Sequence, residues 1–390
     1  MQLSERITHL TPDGTGGWGL YFRARAMADA GERIVELTVG EPDARTHDDI
    51  LAEMHRAAMA GHTGYAAIPG TPELRQQIAA RVSARTGLAT APENVLVTAG
   101  GQGALFAAHM AVCDPGDTAL YIDPYYATYP GTIRGVGAVA HPVTARAEAG
   151  FLPRPADLDA AARETGAVSL LINSPNNPTG VLYDAATLQG IADVAQARDL
   201  WLISDEVYDT QVWDGTHISP RTLPGMAERT LVIGSLSKSH AMTGSRLGWV
   251  VGPADVVARM SNLSTHTTYG VPGFIQDAGL YALRSDLEAR VAAPFRRRRD
   301  LVLGLLADHT VPRAVLPQGA MYVVLDIRAT GLSGNAFAEA LLAEEKIAVM
   351  PGESFGRAAA GHIRVALTVE DAVLADAVAR IIRFAQARRK

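Results

Sequence analysis

The chain has 390 residues, 48% of them hydrophobic and 19% charged, with a formal net charge of −6. That length suits two domains or one large one around a sizeable core. The acidic balance argues against a nucleic-acid-binding surface, and no apolar run approaches the roughly 18 residues of a membrane-spanning helix. Cys113 is the single cysteine, so no intramolecular disulfide can form. With no long apolar stretch in MQLSERITHL, we expect no signal peptide and a reducing, cytoplasmic setting. Cys113 itself sits in an apolar stretch and reads as a small core residue.

Residues 1–30 begin with glycines and aromatics, among them Gly14, Gly16, Gly17, Trp18 and Gly19, and read as an arm followed by a helix. Residues 34–39 are a short β-type run. It ends at Gly40-Glu41-Pro42-Asp43, a turn where backbone can approach a ligand. Residues 50–60 read as a helix. Thr71 is the expected N-cap of the next one, with Pro72 at its first position. Leu74, Ile78 and Val82 recur at helical spacing and are expected to face a core. Tyr65, just before, is as compatible with loop packing as with a role in a site.

From about residue 93, apolar runs alternate with helical stretches. Val95–Val97 leads into Gly100-Gly101-Gln102-Gly103, and residues 119–122 into Asp123-Pro124-Tyr125-Tyr126. Residues 169–172 lead into the Asn-Pro-Thr-Gly turn that holds Asn177, and residues 201–204 into Asp205-Glu206-Val207-Tyr208. Residues 230–233 lead into Ser235–Trp249, SLSKSHAMTGSRLGW. This order predicts an α/β fold, with a mainly parallel sheet flanked by helices. Ligands of such sheets bind beyond the carboxyl ends of the strands. Five polar or aromatic strand ends therefore converge on one candidate site. Beyond residue 285 the pattern changes to a smaller α+β unit. The expected divisions are 1–45, an arm and part of the small domain; 46–285, a large domain; and 286–390, the C-terminal small domain. The four arginines Arg296–Arg299 fall in a helix and read as a solvated face or an interface patch.

Lys238 lies close to the end of a buried strand, where an unpaired ammonium is costly. A lysine with a depressed pKa forms Schiff bases with carbonyl cofactors. Arg246, eight residues on, offers a guanidinium suited to a phosphate. With the hydroxyls of Ser235 and Ser237, this suggests pyridoxal phosphate. The Gly100–Gly103 turn is equally an anion site at a helix N-terminus or a tight connection. Asp205 ends an apolar run and needs a partner, which a pyridinium nitrogen would provide; the alternative is a helix cap. Tyr208 and Asn177 are placed to hydrogen-bond a ring oxygen. Either Tyr126 or Tyr125 would stack on the ring. Arg364 lies in a β-type run, either facing a substrate carboxylate or facing solvent. We assign no metal ligands.

These segments together resemble the fold-type I pyridoxal-phosphate enzymes, the class I/II aminotransferases. The resemblance runs in order through LTVGEPD, GYAAIPGTPELR, TAGGQGAL, DPYYATY, NSPNNPTG, ISDEVY, SLSKSHAMTGSRLGW and HIRVAL. It implies that Lys238 carries the cofactor, Asp205 meets the pyridine nitrogen, and Tyr208 and Asn177 meet the ring oxygen. Tyr126 would stack on the ring. Gly101, Gln102, Ser235, Ser237 and Arg246 would hold the phosphate. Arg364 would bind the substrate carboxylate, with Gly40 and Asn177 beside it. It also implies a homodimer in which Tyr65 reaches the neighbouring subunit's phosphate. The run RRRRDLV and the segments DIRATGLSG and GESFGRAAAGHIR look like the arginine–pyruvate transaminase branch. Ala44 and His47 depart from the family's usual Phe and Pro, and Gly16-Gly17-Trp18-Gly19 is unusual in an arm that lines the substrate pocket. The implied reaction is ping-pong transfer of an amino group from an L-amino acid to a 2-oxo acid, pyruvate among the candidates. A carbon–sulfur β-lyase on the same fold is the alternative. An aminotransferase-like transcription regulator is the alternative of another class, and the negative charge weighs against it.

Overall fold

A computed structural model describes residues 1–11 and 18–390. Gly14, Gly16 and Gly17 lie outside the described residues. Twelve strands occur among those described: β1 (Val35–Leu37), β2 (Val95–Ala99), β3 (Thr118–Asp123), β4 (Val139–Thr144), β5 (Ser169–Asn173), β6 (Trp201–Asp205), β7 (Thr230–Ser235), β8 (Leu247–Val251), β9 (Arg313–Val315), β10 (Tyr322–Asp326), β11 (Ile347–Pro351) and β12 (His362–Ala366).

Seven of them form the first sheet, in the order β2-β8-β7-β6-β5-β3-β4. Strands β3 to β7 run parallel, and β8 is antiparallel to both β2 and β7. Parallel strands covered on both faces read as continuous apolar runs, which is how β5, β6 and β7 look in the sequence. Their side chains still alternate. Leu170 and Leu202 enter one buried cluster, and Leu171, Ile203 and Ile233 another. Val232 faces a third, with Leu74, Ile78 and Trp249.

The second sheet has the order β1-β11-β12-β10-β9, with β1 parallel to β11 and the rest antiparallel. The N-terminal arm therefore joins the C-terminal part of the chain. Its helix, Gly19–Asp29, buries Leu20 and Ala24 in the same cluster as β10 to β12. We propose that the folded chain divides at the boundaries drawn from the sequence, 1–45, 46–285 and 286–390; this pairing supports it.

Some expectations hold and others need correcting. The stretch after β7 begins with one helical turn, Leu236–Ser239, capped by Ser235, whose side chain accepts from the Ser237 amide. Thr71 is the N-cap residue of the helix Pro72–Thr86, with Pro72 at its first position as expected, but its side chain makes no capping hydrogen bond. Leu74 and Ile78 are buried in a core cluster and Val82, partly buried, packs against it, as its spacing predicts. The arginine run is not simply solvated. Arg298 and Arg299 are buried. Arg298 is paired with Asp43 at 2.7 Å and Asp371 at 3.1 Å, and Arg299 with Asp214. Cys113 is buried, and burial raises its thiol pKa. Among the described residues no helix is long and apolar enough to cross a membrane.

Gly248 shows how closely the strand ends approach the helix that follows β2. A Cβ there would fall 2.6 Å from the Gly100 carbonyl carbon and 2.7 Å from the Gly101 nitrogen. Backbone cannot yield as a side chain does, so Gly248→Ala is expected to displace the Gly100–Gly101 turn. The stability loss should be about 2 kcal/mol or more, read as a lower midpoint in denaturant unfolding.

Candidate active site

The carboxyl ends of the parallel strands open into a pocket between the two sheets. Gly101, Gln102, Tyr126, Asn177, Asp205, Tyr208, Ser235, Ser237, Lys238, Arg246, Gly40 and Arg364 all line it. Every site residue expected from the sequence except Tyr65 is therefore gathered in one place.

Lys238 is nearly buried, and its Nζ donates to the Gly40 carbonyl at 2.5 Å. Burial pushes its pKa down to about 8. Glu41 and Asp205 oppose that shift, while the cations Arg364 and Arg246 reinforce it. No carboxylate lies within 4 Å of the ammonium among the described residues. An amine so placed is partly neutral near neutral pH, the state in which it can act as nucleophile or base.

Asp205 ends β6 at the pocket floor. Its Oδ2 accepts from the Tyr129 hydroxyl at 2.7 Å and its Oδ1 from the Val207 amide at 3.3 Å. Burial raises its pKa to about 6 despite the Tyr129 bond, the Val207 bond and the Lys238 charge, all of which lower it. This carboxylate has no cation in contact, so a bound cation would relieve it.

The phosphate end is built from three segments. The helix Gly100–Val112 begins at Gly100, whose φ of +74° is left-handed. A Cβ at Gly100 would fall 2.2 Å from a guanidinium nitrogen of Arg246. Arg246 itself has φ 50°, an arrangement that costs an L-residue about 1–2 kcal/mol. Its Nη1 donates to the Thr243 carbonyl at 2.6 Å. Ser235 and Ser237 hydroxyls lie 2.9 Å apart. The Gln102 amide is held by Thr128 at 3.0 Å and Thr132 at 2.6 Å. Helix N-terminus, guanidinium and hydroxyls together make an anion cradle.

On the opposite wall Arg364 is 1% exposed, so the solvent-facing alternative is excluded. Its guanidinium lies between the rings of Tyr322, at 4.2 Å, and Phe355, at 4.4 Å. It donates to Asn177 Oδ1 at 2.8 Å and to the Thr38 carbonyl, and Nε is buried without a partner. A buried guanidinium with an open donor is suited to a carboxylate.

Tyr126 lines the pocket, whereas Tyr125 packs edge-on against Tyr121. Tyr65 is 90% exposed and pairs with Tyr269, away from this pocket. Residue reasoning missed Tyr129 and Tyr322. Tyr322 shares a 2.9 Å hydroxyl contact with Tyr208 and covers Arg364. Tyr129 was within reach, since it lies three residues past Tyr126 in the same polar strand end; Tyr322 gave no signal within an apolar strand. Trp18 also lines the pocket, so the arm contributes to it.

The sequence profile of aminotransferase class I and II matches residues 32–381. The chain is 44% identical to an arginine–pyruvate transaminase of Pseudomonas aeruginosa, covering 98% of this chain and 97% of that one. It is 36% identical to an aspartate/prephenate aminotransferase of Thermus thermophilus, covering 98% of each. The fold superposes on a Thermus thermophilus aspartate aminotransferase structure with maleate at TM-score 0.91, with 35% identity over 98% of this chain and 100% of that one. The chain belongs to the class I and II aminotransferases. This aminotransferase is a pyridoxal-phosphate-dependent enzyme that moves an amino group from an amino acid to a 2-oxo acid. Its pocket fits the cofactor: a partly neutral lysine, a buried carboxylate without a cation, and an anion cradle stand where a carbonyl, a pyridine nitrogen and a phosphate could be received.

In the cofactor-free protein, Asp205 titrates near 6 when folded and near 3.9 when unfolded. The folded state holds the extra proton between these values, so this residue's contribution to stability falls as pH rises through that window. Asp205→Asn should gain about 2 kcal/mol relative to wild type between pH 4 and pH 7. Urea unfolding of both proteins at the two pH values measures it, and saturating pyridoxal phosphate should erase the gain.

Proposed function

We propose that this aminotransferase takes its amino group from L-arginine or a similar L-amino acid and delivers it to pyruvate. The observation that carries the mechanism is the desolvated Lys238, set between Asp205 and Arg364 in one pocket. When bound, pyridoxal phosphate supplies a carbonyl that condenses with amines and a protonated ring that draws electrons from the substrate Cα. Asp205 would hold a proton at the ring nitrogen. Tyr208 and Asn177 would donate to the ring oxygen; the Asn177 carbonyl already faces Arg364, leaving its amide hydrogens for this task. Tyr126 would lie against the ring. Gly101, Gln102, Ser235, Ser237 and Arg246 would hold the phosphate. Arg364 would clamp the substrate carboxylate, with Gly40 and Asn177 flanking it. Lys238 would then remove the Cα proton as general base and return it on the other side of the transfer.

The acceptor follows from the charges left over. The cations lining the pocket are Lys238, Arg246 and Arg364, and each has a task. None of the described lining residues remains for a second substrate carboxylate, which favours a monocarboxylic oxo acid. The relative named for arginine and pyruvate supports the same pair.

We propose further that the enzyme is a cytoplasmic homodimer. Tyr65 and Tyr269 form an exposed aromatic pair, and Met59 is also exposed, a pattern typical of a contact surface. Tyr65 would enter the neighbouring pocket.

The loaded enzyme should lose its visible absorption on addition of L-arginine and regain it with pyruvate. Lys238→Ala should reduce turnover by about 10⁴-fold or more. Release of pyruvate and ammonia without any acceptor would instead identify a β-lyase. Tyr65→Phe should weaken cofactor retention about tenfold, measured by dialysis equilibrium. Retention unchanged in a protein shown dimeric by light scattering would remove Tyr65 from the neighbouring site.

A further inference from the structure

A second cavity of ≈ 510 Å³ lies behind the carboxyl ends of β6 and β7. It is separated from the first pocket by a single backbone layer. Asp205, Val207 and Ser235 face the first pocket, while Glu206, Val232 and Gly234 face the second. Gly234 leaves room for Trp249 in this wall, because a Cβ would fall 2.2 Å from the indole nitrogen.

Two nearly buried charges of opposite sign line it with open valences. Arg221 is 6% exposed. Its Nη1 donates to the Thr90 hydroxyl at 2.9 Å, but Nε is buried without a partner. No carboxylate lies within 4 Å of it among the described residues, although burial acts against its charge and Glu206 and Glu228 only offset that from a distance. Glu206 is 8% exposed. Its Oε1 accepts from Ser204 at 3.0 Å and Ser219 at 2.7 Å. Its Oε2 has only His217 Nε2, at 3.7 Å, and that nitrogen is itself buried and unpartnered. By contrast, the rim arginines are already matched: Arg81 with Glu288 at 2.7 Å, and Arg85 with Asp209 at 2.5 Å and Glu288 at 2.9 Å.

A buried guanidinium without an anion and a buried carboxylate without a lysine or arginine in contact are each costly. A ligand carrying both charges answers both, whereas a simple anion would meet Glu206 and a simple cation would meet Arg221. We infer that this cavity is a second binding site for a small zwitterion of the amino-acid class, its carboxylate on Arg221 and its ammonium on Glu206. Its occupant would rest on the strand ends that carry Asp205 and Ser235, so the site is placed to sense amino-acid supply.

The test uses the holoenzyme with its cofactor fixed to Lys238 by borohydride reduction and with Arg364→Gln, which together remove amino-acid binding at the first pocket. Calorimetric titration with L-alanine and L-arginine should give one saturable site per chain. Acetate and methylammonium should each bind at least about tenfold more weakly than the better amino acid. Arg221→Gln should weaken that binding at least about tenfold. Thr216→Trp, at an exposed position on the cavity mouth, should do the same without disturbing a buried group. No saturable heat up to about 10 mM overturns the proposal, as does binding unchanged in both variants. Acetate binding as tightly as the amino acids reduces the cavity to an anion site and overturns it too.

Discussion

The Lys238 ammonium is held out of water without a carboxylate in contact, and much of the architecture serves that constraint. Burial alone would drive the amine toward neutrality; Arg246 and Arg364 push the same way, and Glu41 and Asp205 restrain the shift. The result is an amine near pH 8, close enough to neutrality to exchange protons in either direction. Asp205 is the mirror image, an acid raised to about 6 by the same dry environment. An amine poised near neutrality is suited to exchanging a proton, while the raised acid is open to a bound cation.

The parallel sheet makes this possible at low structural cost. Each strand is stabilised by its two apolar faces, so its carboxyl end can carry a residue that helps folding little. Asn173, Asp205 and Ser235 are such residues at the ends of β5, β6 and β7. Their neighbours Ile172, Ser204 and Gly234 are buried, which fixes the direction of each end. The close approach of Gly248 to Gly100 and Gly101 then brings the helix N-terminus against Arg246, so that the anion cradle is a packing consequence as much as a binding device.

The sequence made this arrangement legible wherever a local pattern had one physical meaning. Apolar runs ending in polar residues predicted the parallel sheet and its active edge. Lys238, Arg246 and Asp205 stood out because charge beside buried strand requires a reason. Strand direction was less visible: β8 was absorbed into the lysine stretch, and its antiparallel pairing with β2 and β7 has no local signature. Nor does a sequence show which distant acid reaches which base. Arg298 and Arg299 looked like a solvated run, because their partners Asp43, Asp214 and Asp371 come from far along the chain. Tyr322 was hidden for a related reason. In an apolar strand it reads as core, and only the pairing of β10 with β12 brings it beside Arg364. The family resemblance supplied roles for individual residues, but not these contacts.

Those contacts join the two sheets. Gly40, which accepts from Lys238, follows β1 of the small sheet, while Lys238 follows β7 of the large one. Arg364 comes from β12 and bonds Asn177, which follows β5. Tyr322 of β10 meets Tyr208, which follows β6. Each of these three links thus has one member on either side. Separating the sheets would admit water to Lys238 and Asp205 together and return both toward their ordinary pKa values, because burial is the largest cause of each shift. The reactive state of the lysine is therefore a property of the docked pair of sheets, and of neither alone.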